Sequence, residues 1–159
     1  MGFAPSTMQL TSTAFAPMGR IPKQYTGEGA DLSPPLAWQK APPGTQAFAL
    51  VCHDPDAPLV TPNAYGFTHW VLYNIPGSVS ELREAEKSYT SGNNSFGKPG
   101  YGGPLPPEQH GVHHYYFWLF ALRADTKLAA GLSMQELFAA IEPQVIGMNR
   151  LIGTYSRPT

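Results

Sequence analysis

Three short stretches bring proton-carrying side chains to the ends of apolar runs. Asp54-Pro55-Asp56-Ala57-Pro58 places two carboxylates directly after Gln46–His53, His69 lies within Phe67–Ile75, and His113 and Tyr115 open Val112–Leu122. If these runs are neighbouring strands, one carboxylate, two imidazoles and a phenol meet at one rim. That set suits a small oxyanion such as phosphate, because protonated imidazoles and a tyrosine hydroxyl both donate hydrogen bonds to it. Gly97–Pro107, with four glycines and four prolines in eleven residues, cannot be regular structure. It feeds His113 into its strand, and the N–H groups of Gly100, Gly102 and Gly103 are further candidate donors. Asp54 suits an anion site if it holds an imidazolium or receives an ammonium group of the ligand.

The same residues allow other chemistry. Asp plus two His could form a facial metal triad, but Asp54, His69 and His113 do not show a metal-ligand spacing, so no metal and no cofactor are expected. Serine hydrolysis would need a positioned nucleophile; no G-x-S-x-G occurs, and only Ser33 and Ser95 lie near the motifs. Taken singly, an aspartate in a DPD turn caps its own backbone and His69 is a satisfied core histidine. Cys52, inside an apolar strand, reads as a small core residue. Strand alternation sends His113 and His114 to opposite faces, so only His113 lines the pocket, and His114, His110 and His53 are expected at the surface. Two other classes stay open: an enzyme using the Asp/His set for acid–base chemistry, and a protein-interaction module with a vestigial pocket.

The elements that must position these groups are short. Gln9–Phe15 is a candidate edge strand, and the prolines of Asp31–Trp38 imply an extended loop entering a strand. In Phe67–Ile75, alternation puts Phe67, His69, Val71 and Tyr73 on one face and Thr68, Trp70, Leu72 and Asn74 on the other. In the last long strand His113, Tyr115, Phe117 and Leu119 share a face. Glu81–Lys87 reads as one or two exposed helical turns. Ser133 with Glu136 forms a capping box for a helix of about ten residues carrying Leu137, Phe138 and Ile141, which Pro143 ends or kinks. Leu151–Tyr155 is the expected closing strand. Short strands, frequent turns and one late helix predict a mainly β fold, a β-sandwich of two sheets with one or two short helices, in a single domain over residues 1–159.

Composition narrows the class. Charged residues are only 13% of the 159 and the formal net charge is −1, with no Lys/Arg cluster, which excludes a nucleic-acid footprint. Glycine and proline are abundant, but 12% aromatics place them in turns of a folded domain. One cysteine excludes an intramolecular disulfide and fits a reducing compartment, so a cytoplasmic location is expected. No stretch is long and apolar enough for a transmembrane helix, and no signal peptide is recognised. Met1-Gly2 with Ser6 fits the N-myristoylation pattern, though Pro5 makes the match poor.

Asp31–Trp38 (DLSPPLAW), Asp54–Pro58 (DPDAP), Phe67–Pro76, Phe96–Tyr115 and Leu151–Arg157 (LIGTYSR), in this order, resemble the phosphatidylethanolamine-binding protein family, which includes the Raf kinase inhibitor proteins, and within it the bacterial and archaeal YbhB-like branch. The resemblance implies a Greek-key sandwich and a pocket for phosphate, acetate or a phosphoethanolamine-like phospholipid head group. By position it places the ligand at Asp54, Ala57, Pro58, Phe67, His69, Gly103, Pro106, Pro107, His113 and Tyr115. It also implies binding without catalysis, with a regulatory role such as kinase or protease inhibition through an unidentified protein partner, and leaves room for a homodimer. Two departures bear on this. Gly111-Val112-His113-His114-Tyr115 has histidine where the family has arginine, and the chain ends soon after LIGTYSR, so a more open pocket is expected and regulation of eukaryotic kinases is not. The family tends to place unusual, cis-prone bonds at prolines 55 and 58. A rim position predicts that His113→Ala abolishes anion binding and spares folding.

Overall fold

A computed structural model describes residues 6–57 and 65–157 of the chain. Pro58 and the Met1–Pro5 part of the acylation pattern lie outside them. Among the described residues, strands β1 (Gln9–Thr11), β2 (Leu36–Gln39) and β5 (Glu81–Leu82) form one antiparallel sheet, ordered β1-β2-β5. The larger sheet has β3 (Ala47–Asp54), β4 (Phe67–Pro76), β6 (Thr90–Ser91), β7 (His113–Leu122) and β8 (Val145–Tyr155), ordered β6-β4-β3-β7-β8. The chain leaves the large sheet after β4, visits the small one at β5 and returns at β6, then crosses to place β7 beside β3. That is the predicted Greek-key sandwich.

Two cores hold the layers together. Between the sheets, Leu10, Leu36, Trp38 and Leu82 pack against Phe48, Leu50, Cys52, Trp70, Leu72, Tyr115, Phe117 and Leu119. Behind the large sheet, helix α1 (Met134–Ile141) lays Met134, Leu137 and Ile141 on Ala49, Val51, Val71, Tyr73 and Phe120. β3 is apolar on both faces because it is covered on both. Ser133 accepts from the Glu136 amide while the Glu136 side chain accepts from the Ser133 amide, the capping box read from the sequence. Pro143 lies in a 3-10 turn, Glu142–Gln144, that closes the helix.

Three expectations need correction. Glu81–Lys87 is not helical: Leu82 is buried in the inter-sheet core and Glu81–Leu82 pairs with Leu36–Ala37. The gain from burying Leu82 outweighs a weak local helix preference. β8 starts at Val145, not Leu151, because it pairs with β7 along nearly its whole length despite Gly147, Asn149 and Gly153. Alternation fails in β4. Cys52 pairs with Trp70 but His53 with Thr68, so His69 is an extra residue, a β-bulge. The bulge turns His69 toward the inter-sheet side with Trp70 and Leu72, while Val71 and Tyr73 face α1. The bond into Pro55 is trans, since no cis peptide occurs among the described residues.

Candidate functional site

β3, β4 and β7 end together at one edge of the large sheet. β3 puts Asp54 on the same face as Leu50 and Cys52, and β7 puts His113 and Tyr115 on the face of Phe117. The β4 bulge supplies His69, whose ring centroid lies 5.2 Å from that of Tyr115. These four residues, with Ala57, Phe67, Phe96, Leu105, Pro106 and Pro107, line a cavity of about 210 Å³. Asp54, His69, His113 and Tyr115 are each at most 4% exposed, so the polar groups lie at the floor and not on a rim. The expectation that His113→Ala would spare folding falls with that, because His113 is the partner of a buried carboxylate.

Hydrogen bonds assign a state to each group. Asp54 Oδ2 accepts from His113 Nδ1 at 2.6 Å and Oδ1 accepts from the Asp56 amide at 2.8 Å. Burial raises the Asp54 carboxyl above its ordinary range, and the His113 contact opposes that shift. His113 Nε2 lies 2.7 Å from His110 Nδ1, so both His113 nitrogens have protein partners. His69 donates Nδ1–H to the Gly102 carbonyl at 2.7 Å, and burial pulls its pKa from 6.5 down to about 4. It is therefore a neutral ring whose Nε2 offers a lone pair, not the cationic donor anticipated. Tyr115 is the reverse: its buried hydroxyl finds no partner among the described residues. Burial, and then the Asp54 charge, push its phenol well above the usual range, so it remains a donor at all ordinary pH.

The glycine-rich loop forms a wall without supplying amides. Gly100 donates to the Gly92 carbonyl, Gly102 to that of His69, and Gly103 to Asp31 Oδ1. Gly103 lies outside the cavity lining, behind the wall, where an added Cβ would stand 2.4 Å from the Tyr25 carbonyl oxygen. Only glycine lets the loop pass there. The segment just after β8 pins the same loop: Arg157 donates to the Pro106 carbonyl and pairs with Glu28 and Glu108. His114 points to the opposite face, as alternation requires, where its amide and Nδ1 both donate to Asp56 Oδ2. There histidine serves as a partner for the DPD turn. Cys52 is fully buried and its thiol is pushed well up by burial, in keeping with a core residue.

The structure therefore brings together Asp54, Ala57, Phe67, His69, Pro106, Pro107, His113 and Tyr115. It adds Phe96 and Leu105 to the wall and His110 as the neighbour of His113. Phe96 stands edge-on to Phe67 at 4.6 Å, a contact for which the sequence carries no local signal. His110 was assigned to the surface; it is exposed, yet it reaches back to the floor.

The phosphatidylethanolamine-binding protein family model matches residues 11–156. The chain belongs to that family. Relatives include UPF0098 proteins of Methanothermobacter thermautotrophicus (40% identity over 94% of this chain and 99% of the relative) and Aquifex aeolicus (39%; 94% and 89%). Among solved structures, a phosphatidylethanolamine-binding protein homologue of Chlamydia trachomatis superposes with a TM-score of 0.88 at 34% identity, covering 94% of this chain and 97% of that one. Escherichia coli YbcL, described as a member of the mammalian family, gives 0.85 at 28%, with 95% and 99% covered. Membership accounts for the five ordered motifs: in this phosphatidylethanolamine-binding protein relative they build the cavity floor (Asp54, His69, His113), its walls (Phe96 and Leu105–Pro107) and the pin on its loop (Arg157). Among the described residues no helix is long and apolar enough to cross a membrane.

Proposed function

We propose that this protein binds, without turning it over, a small ligand with an oxyanion head group: phosphate, a carboxylate such as acetate, or a phosphoethanolamine-like group. The observation that carries the reading is the Tyr115 hydroxyl, a buried donor with no partner among the described residues, in a cavity walled by Phe67, Phe96 and Leu105–Pro107. A buried unpaired hydroxyl is costly to the fold and is accounted for if a ligand completes it. His69, whose ring stands edge-on to Tyr115 and whose Nδ1–H is spent on Gly102, keeps Nε2 as an acceptor, so the complementary ligand carries a donor as well as an acceptor: a monoprotonated phosphate, or a head group with an ammonium. Phe67, Phe96, Leu105 and Pro106 leave room for a short organic portion. Among the described residues the lining contains no serine, cysteine or lysine, and Tyr115 is held protonated, which favours binding over chemistry by such a nucleophile.

A second reading is favoured by one contact. The short Asp54–His113 hydrogen bond is the arrangement that orients an imidazole for general acid–base work, and it would suit an enzyme acting on a small phosphorylated substrate. Calorimetric titration of phosphate, acetate and phosphoethanolamine into wild type and Tyr115→Phe separates the two. Binding that weakens by about tenfold or more in Tyr115→Phe, the size of a hydrogen bond to a charged group, supports the binding reading. Unchanged affinity overturns it, and release of inorganic phosphate from phosphoethanolamine would favour the enzyme.

A further inference from the structure

We propose that His110 occupies the ligand's place at His113, so that an oxyanion enters by displacing an internal imidazole and not by filling a vacant cradle. This inference rests on the anion-pocket reading above. His113 has two ring nitrogens, and Asp54 takes Nδ1 at 2.6 Å. Only Nε2 remains for a ligand, and His110 Nδ1 stands 2.7 Å from it. With Nδ1–H donated to Asp54, a neutral His113 accepts at Nε2 from His110 Nδ1–H. To donate to an anion, Nε2 must carry a proton and lose that partner. Among the described residues, other candidate donors are already spent: His69 gives its N–H to Gly102, and the amides of Gly100, Gly102 and Gly103 are used within the protein. An oxyanion that binds at His113 therefore has to compete with His110 for Nε2.

The local structure makes His110 easy to displace. His110 is exposed while His113 is 2% exposed, so swinging His110 out takes no buried side chain from the core. The two rings are tilted at 54° with centroids 4.9 Å apart, a contact made through the ring edge and not by stacking. His110 sits in a turn in which its amide donates to the Pro107 carbonyl, between Gln109 (φ 63°) and Gly111 (φ 87°). These two left-handed residues fold the ring back toward the start of β7.

The test is phosphate titration by calorimetry on wild type, His110→Ala and His110→Asn, with folding checked by amide NMR. His110→Ala is expected to bind phosphate roughly three- to tenfold more tightly, since one neutral hydrogen bond no longer has to be broken. His110→Asn, whose amide can donate from near the Nδ1 position, is expected to stay close to wild type. In wild type, phosphate should move the His110 side-chain 15N resonances together with those of His113. Unchanged or weaker binding by His110→Ala overturns the displacement while leaving the pocket intact. Absence of phosphate binding in all three folded proteins overturns the pocket reading as well.

Discussion

His69 makes the protein sensitive to acid in a way that can be isolated. Burial lowers its pKa from 6.5 to about 4. Between those values the unfolded chain holds a proton that the folded chain does not. Stability therefore rises with pH through that window, and it is lost as pH falls below the ordinary value, levelling off below the depressed one. The full shift corresponds to roughly 3 kcal/mol, most of it gone by about pH 4.5. Other groups titrate in the same range and must be subtracted. Asp54, with a raised pKa, contributes in the opposite sense, while Glu28, Asp56, Glu86 and Glu136 are lowered and lose stability in acid as well. His69→Asn is the reference that removes only the titration, because its amide can still donate to the Gly102 carbonyl. Urea unfolding of both proteins, followed by tryptophan fluorescence at about pH 7 and about pH 4.5, gives the comparison. Wild type should lose roughly 2–3 kcal/mol more than His69→Asn. Equal losses would refute the reasoning, since His69 would then titrate like an exposed imidazole and its Nε2 could not be a fixed acceptor.

Further expectations concern the floor, the loop and the helix. His113→Ala should cost roughly 3 kcal/mol at neutral pH by leaving the Asp54 carboxylate buried and unpaired, and adding Asp54→Asn should restore much of it; a loss under about 1 kcal/mol on urea unfolding would contradict the buried pair. Gly103→Ala, whose Cβ would meet the Tyr25 carbonyl oxygen at 2.4 Å and Asp31 Oδ1 at 2.6 Å, should shift the Leu105–Pro107 wall. It should cost about 1–3 kcal/mol and weaken phosphate binding, so wild-type melting and affinity would show that the loop has slack. Ser133→Ala should cost about 1 kcal/mol and Ser133→Asp almost nothing, as read from thermal melts, because both serine and aspartate can accept from the Glu136 amide.

The sequence by itself determined what depends on neighbours along the chain. Period-two alternation placed His113 and Tyr115 on one face of β7 and His114 on the other, because a strand's pleat fixes facing over its whole length. Prolines ended β3 at the DPD turn, and Ser133 and Glu136 marked the start of α1, since both effects act within four residues. The fold followed from five ordered motifs. Only the tertiary structure decided what depends on pairing between distant strands. The β4 bulge that turns His69 to the inter-sheet side arises from its register against β3, and a single inserted residue reverses every side chain beyond it. β5 exists because β2 offers it an edge and the core accepts Leu82, and β8 extends back to Val145 because β7 runs beside it. The amides of Gly100, Gly102 and Gly103 looked free in a loop and are spent on Gly92, His69 and Asp31. His110 looked like a surface residue and proves to hold the one nitrogen of His113 left for a ligand. In each case the deciding quantity is which donor meets which acceptor across the fold, and a pattern of residue types along the chain does not encode that distance.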